Sequence, residues 1–232
     1  MEQNNKIKKG ASKYIIMVMI QRIIGIIMYF IAAGTLSDYR GITNILLYFI
    51  LTIVASIIMF RNNKETLNER GKKQENTKKW DKIILPFFVV ISCYVIYIVA
   101  GLGSRFNWEK LPLFCFYIGI LFYIVSCVFM LLPILENKHF ESTSRIQDNR
   151  KHSVVNTGPY KIIRHPGYLG IIMWSISCVL IFGTLYVSII CFIIILLIWV
   201  RTYLEDKMLK NELEGYMEYT KEVKYRLIPY IW

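Results

Sequence analysis

The chain has 232 residues, 55% of them hydrophobic, and a mean hydropathy of +0.43, values that do not fit an ordinary soluble domain. Its 28 Lys and Arg against 16 Asp and Glu leave a net charge of +12, but these charges sit between apolar runs and do not form the continuous basic surface that nucleic acid requires. Five cysteines, an odd number, and the lack of Pro/Ser-rich or periodic segments exclude a disulfide scaffold, a collagen repeat and a low-complexity tail.

Four apolar runs, 14–36, 42–60, 83–103 and 111–135, meet the length of about 20 residues that a hydrocarbon core demands. The first follows Lys6, Lys8 and Lys9 and precedes Ala32-Ala33-Gly34. Its length exceeds the roughly 7–15 apolar residues of a signal-peptide core, so it is read as a retained span. A fifth stretch, from Gly167 to Tyr203, is too long for one span and carries Gly183-Thr184 near its middle. It is read as a helical hairpin, 168–182 and 185–203, whose first arm covers only about 22 Å and either dips into the bilayer or crosses it. Both ends of the hairpin return to one side.

Positive charge orients the chain, because short cytoplasmic loops retain Lys and Arg. Segments 1–13, 61–82, 136–166 and 201–232 hold four, eight, six and six of them, whereas the other side has Arg40, Arg105 and Lys110. Both termini are therefore expected in the cytoplasm. Cys93, Cys115, Cys127, Cys178 and Cys191 lie in apolar runs, where cysteine acts as a small hydrophobe. Trp80, Trp108, Trp199 and Trp232 fall near span ends, at the headgroup level that amphipathic rings favour. Gln21-Arg22 is the one costly feature within a span, facing a polar interior or snorkelling outward.

Spans nearly free of ionisable groups argue against a transport path and move the expected function to the cytoplasmic face. His139, His152 and His165 all fall in 136–166, at a spacing that matches no metal-ligand pattern. The same loop holds Gly158-Pro159-Tyr160 and Arg164-His165-Pro166-Gly167-Tyr168-Leu169-Gly170. Pro166 keeps His165 out of helical geometry and opens the next helix. The backbone N–H groups of Gly167 and Tyr168, with Arg164 and His165, then form either an anion pocket or simply a capped helix start beside a basic loop.

The run from Gly158 to Gly170 resembles the GPYxxxRHPxYxG signature of the isoprenylcysteine carboxyl methyltransferase family, integral membrane enzymes related to the phospholipid N-methyltransferases. The resemblance continues through Asn137, Phe140, Arg145-Ile146-Gln147-Asp148 and His152-Ser153-Val154-Val155. Downstream it takes in Arg201, Glu205-Asp206, Gly215-Tyr216, Tyr219 and Arg226-Leu227-Ile228-Pro229. It covers residues 136–232 strongly, and the stretches Asn68-Glu69-Arg70 and Trp80-Asp81-Lys82 resemble bacterial members. Two departures stand out: Glu205-Asp206 replaces the usual Glu-Glu pair, and Gly167 replaces a bulkier residue.

The resemblance implies an all-α, polytopic membrane protein of about six transmembrane segments, the last two a hairpin, with a cytoplasmic cofactor-binding loop and a C-terminal helix. A four-helix region 1–135 would precede a catalytic region 136–232. It implies methyl transfer from S-adenosyl-L-methionine to a membrane-embedded or lipophilic acceptor, with membrane lipids as surroundings and neither a metal nor nucleic acid. The acceptor classes are a prenylcysteine-like carboxylate, a phospholipid amine and a lipophilic thiol. A transporter, a structural membrane protein and a related NADPH-dependent reductase are the competing readings.

Carried over by motif, the cofactor contacts are Gln147, His152, Ser153, Val154, Val155, Tyr160, His165, Pro166, Gly167, Tyr168 and Glu205. His165 and free backbone N–H groups suit a carboxylate, Glu205 an ammonium group, and the Tyr160 and Tyr168 rings adenine or a sulfonium. Arg201 and Glu205 are the expected catalytic residues, Arg201 on the acceptor and Glu205 on the cofactor. Four residues apart on one helix face, they would otherwise form a simple intrahelical ion pair worth about 0.2–0.5 kcal/mol.

Overall fold

A computed structural model describes residues 2–72 and 74–232, the side chains of residues 2–6 and of Lys8 excepted. Lys73, counted in the basic stretch 61–82, and the side chains of Lys6 and Lys8 lie outside the described part. Among the described residues all regular structure is helical: α1 (Glu2–Ala33), α2 (Tyr39–Asn62), α3 (Lys64–Arg70), α4 (Asp81–Val90), α5 (Ile96–Arg105), α6 (Leu113–Glu136), α7 (Pro166–Phe182), α8 (Leu185–Glu212) and α9 (Tyr216–Glu222). In lipid an open strand edge would leave backbone groups unpaired, so apolar runs of this length close their hydrogen bonds within helices.

Among the described residues five helical stretches are long and apolar enough to cross a membrane: Lys9–Ala33, Tyr39–Asn62, Asp81–Arg105, Leu113–Glu136 and Leu185–Glu212. The chain is a multi-pass integral membrane protein. Five of the about six expected segments reach that length, and the first arm of the hairpin, α7, is an apolar helix of only 17 residues. The third stretch joins α4 to α5 through a π-helical turn, Ile91–Val95. Large apolar side chains such as Ile20, Ile27, Ile50, Ile57, Leu121 and Phe192 are exposed on the outer surface, where hydrocarbon chains solvate them at no cost.

Gly183 ends α7 in the left-handed conformation, φ 72°, and the Thr184 hydroxyl accepts from Val187 N–H to start α8. Arg40 binds this turn, its guanidinium donating to the Ile181 and Leu111 carbonyls at 3.2 and 2.7 Å, while Leu111 N–H donates to Gly183 O at 2.9 Å. The tip of the α7–α8 pair therefore lies at the same end of the bundle as the starts of α2 and α6. α7 packs along α6 so closely that a Cβ at Gly170 would come within 2.9 Å of Met130 N. One apolar core runs through the bundle, joining Tyr29 of α1, Tyr97 of α5, Cys178 and Ile181 of α7 and Ile194 of α8.

At the opposite end α8 runs on to Glu212, well past the expected limit at 203, and carries Arg201 and Glu205 on one unbroken helix. α3, the loop 137–165 and the segment 213–232 gather around it.

Candidate active site

The loop 137–165 has little regular structure, only the short 3-10 turns Asp148–Arg150 and Gly158–Lys161. Its shape comes from outside. From the C-terminal segment, Tyr225 O and Arg226 O accept from the backbone N–H groups of Arg164 and His165 at 3.0 and 2.9 Å, and the Tyr219 hydroxyl donates to Tyr160 O at 2.6 Å. Leu213, Tyr216, Tyr219 and Val223 pack with Ile146 and Val154 into a small core beneath the loop. From the α3 side, Arg70 reaches the Ser142 hydroxyl at 3.2 Å, and Lys78 N–H donates to Ser144 O at 3.1 Å.

Asp206 joins these pieces. Fully buried, its carboxylate meets Arg164 at 2.8 Å, Arg226 at 2.9 Å, Lys210 at 3.2 Å and the Tyr216 hydroxyl at 3.1 Å. His165 Nε2 lies 3.5 Å from the same group. Three cations on one buried carboxylate clamp the loop and the C-terminal segment to α8. That accounts for an acid at the second position of the pair, and it corrects the expectation for Arg164: the guanidinium is spent on Asp206 and on the Val223 and Lys224 carbonyls, not offered to a ligand.

Arg201 and Glu205 do not pair. Arg201 Nε lies 2.9 Å from Asp81 Oδ1 and its Nη2 donates to Asp81 Oδ2 at 3.3 Å and to the Ser142 carbonyl. Glu205 Oε2 accepts from the Tyr168 hydroxyl at 2.5 Å and from the Ser144 hydroxyl at 2.7 Å. Tyr168 stands between them, its ring 5.5 Å from the Arg201 guanidinium carbon. Both protein hydrogen bonds to Glu205 fall on one oxygen, so Oε1 is left for a ligand among the described residues. Asp81 also accepts from Ser144 N–H at 2.7 Å and is fully buried. Sequence reasoning named Asp81 only as part of a resemblance. An acid opening a helix reads as dipole compensation, and its true partner lies 120 positions away.

Tyr168, Arg201 and Glu205 face one cavity of about 470 Å³. Every expected site residue lines it: Gln147 and His152 to Val155 from the loop, Tyr160, then His165 to Tyr168 at the start of α7, and Arg201 and Glu205 from α8. They do not present equivalent groups. The Gln147 amide is used within the loop, donating to His139 O at 2.6 Å and accepting from Arg150 at 3.0 Å. Tyr168 N–H is used by His165 O at 3.1 Å, which corrects the expectation that it is free. The rings of His165 and Tyr168 stack at 5.7 Å.

The His139 and His152 rings meet at a tilt of 37° with centroids 4.7 Å apart, and His139 Nδ1 and Nε2 and His152 Nδ1 have no hydrogen-bond partner among the described residues. Burial, and for His152 its neighbour His139, depress both imidazoles, His152 to about 4. Both are therefore neutral at pH 7 and able to accept as well as donate. Gly167 has a steric reason: a Cβ there would lie 2.7 Å from Phe140 Cζ. Among the described residues no group of three or more His, Cys, Asp or Glu is arranged to hold a metal ion.

The same cavity continues between the membrane helices, where Leu51, Met59, Phe88 and Leu131 line it. Fold and site thus define a helical multi-pass membrane protein with a chamber that is polar at the end of the bundle and largely apolar within it. Residues 118–211, from within α6 to the last turn of α8, match the isoprenylcysteine carboxyl methyltransferase (ICMT) family. The chain is also 28% identical over 124 residues to proteins of Oryza sativa subsp. indica and subsp. japonica, each named probable protein-S-isoprenylcysteine O-methyltransferase. These matches cover 53% of the chain and 65% of each rice protein.

Proposed function

We propose that the protein is an S-adenosylmethionine-dependent methyltransferase with a lipophilic, membrane-embedded acceptor, a prenylcysteine carboxylate being the first class to test. The observation that carries this reading is the single cavity that joins the polar chamber to an apolar interior, lined at its polar end by the eleven expected cofactor contacts and by Arg201. A water-soluble donor and a lipophilic acceptor can meet there without either leaving its own solvent. The basic loops favour a chamber and termini on the cytoplasmic side, where S-adenosylmethionine is made.

The donor set suits that cofactor. Glu205 Oε1 matches an ammonium group, and the unpartnered nitrogens of His139 and His152 with the Tyr160 face suit a carboxylate-bearing nucleoside. When bound, S-adenosylmethionine supplies a methyl group on a sulfonium, transferred by in-line displacement. Tyr168 fixes the Glu205 carboxylate, and Asp81 holds Arg201 so that its guanidinium orients the acceptor. The apolar walls exclude water, which strengthens these charges and suppresses hydrolysis.

The decisive experiment supplies methyl-labelled S-adenosylmethionine and a prenylcysteine to membranes containing the protein. Label is then separated into carboxyl ester, lipid amine and thioether fractions. Ester label supports the carboxylate class, and amine or thioether label moves the acceptor to the other classes. No label in any fraction, with no S-adenosylhomocysteine binding by purified protein, overturns the enzyme in favour of a transporter or structural protein.

A further inference from the structure

Arg22 sits near the middle of the span Lys9–Ala33, about 20 Å along the helix from Lys9, too deep for its stem to reach the headgroups. It lines the inner end of the cavity. The guanidinium carbon lies 3.7 Å from the centroid of the buried Tyr48 ring, and Nε is buried with no hydrogen-bond partner among the described residues. A cation–π contact offsets only part of the cost of a charge at that depth, and an ionisable group in a span is retained where it has something to bind. The carboxylates that line this cavity are Glu141 and Glu205. Glu141 is paired with Arg145 at 2.9 Å, and Glu205 belongs to the chamber at the end of the bundle.

The wall opposite is specialised as well. The π-helical turn Ile91–Val95 carries Ser92 and Cys93, both of which line the cavity, and a π turn inside a spanning helix is a recurrent mark of functional sites. Gln21, Thr52 and Ser56 add polar groups from α1 and α2. A pocket meant only for hydrocarbon needs none of these.

We propose that this inner end is a polar subsite, centred on Arg22, that binds an anionic oxygen of a long-chain molecule such as a carboxylate. Resting on the methyltransferase reading, the inference replaces a prenylcysteine, whose far end is hydrocarbon, by an acceptor that is an amphiphile with polar groups at both ends, one at Arg22 and the methyl-accepting one beside Arg201. From Tyr48 to Met59 the cavity follows α2 for about 16 Å, which requires an extended chain between the two groups.

The test uses the full chain purified in a nonionic detergent, with the fluorescent polyene acid cis-parinaric acid as probe and hexadecanoate or its methyl ester as competitor. Hexadecanoate should displace the probe at a concentration at least tenfold lower than the ester. Arg22→Met should erase that preference, and Arg22→Lys should keep much of it. Equal competition by acid and ester in the unmodified protein overturns the subsite, as does an acid preference that survives in Arg22→Met. Calorimetry with S-adenosylhomocysteine on the same samples separates the two readings. Unchanged affinity in Arg22→Met shows an intact chamber, whereas no binding by the unmodified protein defeats the methyltransferase reading and leaves the anion preference to be judged alone.

Discussion

Arg201 is held by Asp81, with Nε 2.9 Å from Oδ1, and not by Glu205 one turn along its own helix. The pair ties the first residue of α4 to the middle of α8, and Ser144 N–H on the same carboxylate adds the loop. Removing one member of a buried pair strands the other charge, at a cost of about 3–5 kcal/mol. Asp81→Asn should therefore lower the thermal midpoint and the methyl-transfer rate together. Arg201→Lys, which keeps the charge but loses the planar fork, should chiefly impair acceptor use. A double-mutant cycle on thermal stability checks the pair, and coupling near zero would leave Asp81 without the role given to it.

Much of this was legible in the sequence, for reasons that differ by element. The spans were readable because bilayer thickness imposes a length on any apolar run, and the turn at Gly183 because a positive φ favours glycine. The chamber was readable as a motif, since His165 to Tyr168 are contiguous. The contacts that give it shape were not. Asp81 with Arg201 and Arg164 with Asp206 join positions far apart in the chain, and periodicity within one helix carries no information about them. Helix spacing left an Arg201–Glu205 ion pair open as the alternative to separate roles, and tertiary partners took both residues.

Tyr168→Phe isolates one hydrogen bond. The ring stays beneath Arg201, while the 2.5 Å bond to Glu205 is lost. A bond to a carboxylate is worth about 1.5–3 kcal/mol, so affinity for S-adenosylhomocysteine should fall roughly tenfold or more by calorimetry. Glu205→Gln should weaken the same affinity, and if Tyr168→Phe leaves it unchanged, Tyr168 does not position Glu205 for the cofactor.

Gly167 makes room for Phe140, whose ring would lie 2.7 Å from an added Cβ. Gly167→Ala should cost about 1–3 kcal/mol through overpacking, and the smaller side chain in Phe140→Leu should restore most of the loss. A thermal-shift series on the single and double variants measures this. Failure of Phe140→Leu to rescue would move the constraint from side-chain space to the backbone.

Asp206→Asn should free the C-terminal segment. Arg164 would remain buried beside a neutral amide, and the contact that joins loop, C-terminal segment and α8 would lose its charge. The expected loss is about 3–5 kcal/mol, with tryptic cleavage appearing at Lys221 and Lys224 well before the bundle unfolds. Cleavage kinetics like those of the unmodified protein would show that Leu213, Tyr216, Tyr219 and Val223 hold the segment without the charge.

Stability should fall in acid through His152. Burial, with His139 alongside, lowers its imidazole from the ordinary 6.5 to about 4 in the folded protein. Between those values the unfolded chain takes up a proton that the folded chain refuses, so protonation favours unfolding. The contribution of neutral His152 is fully present above about pH 6.5, declines as pH falls and is gone below about pH 4. His139 is depressed by burial in the same direction and adds to the slope. Carboxylates titrate over part of this range, so the measurement is a difference: thermal midpoints of the unmodified protein and of His152→Gln in detergent, from pH 7 to pH 4. The unmodified protein should lose stability relative to the variant as pH falls, most steeply about midway between 6.5 and 4. Parallel curves would mean that His152 is not the partly buried, neutral base that its contact with His139 implies.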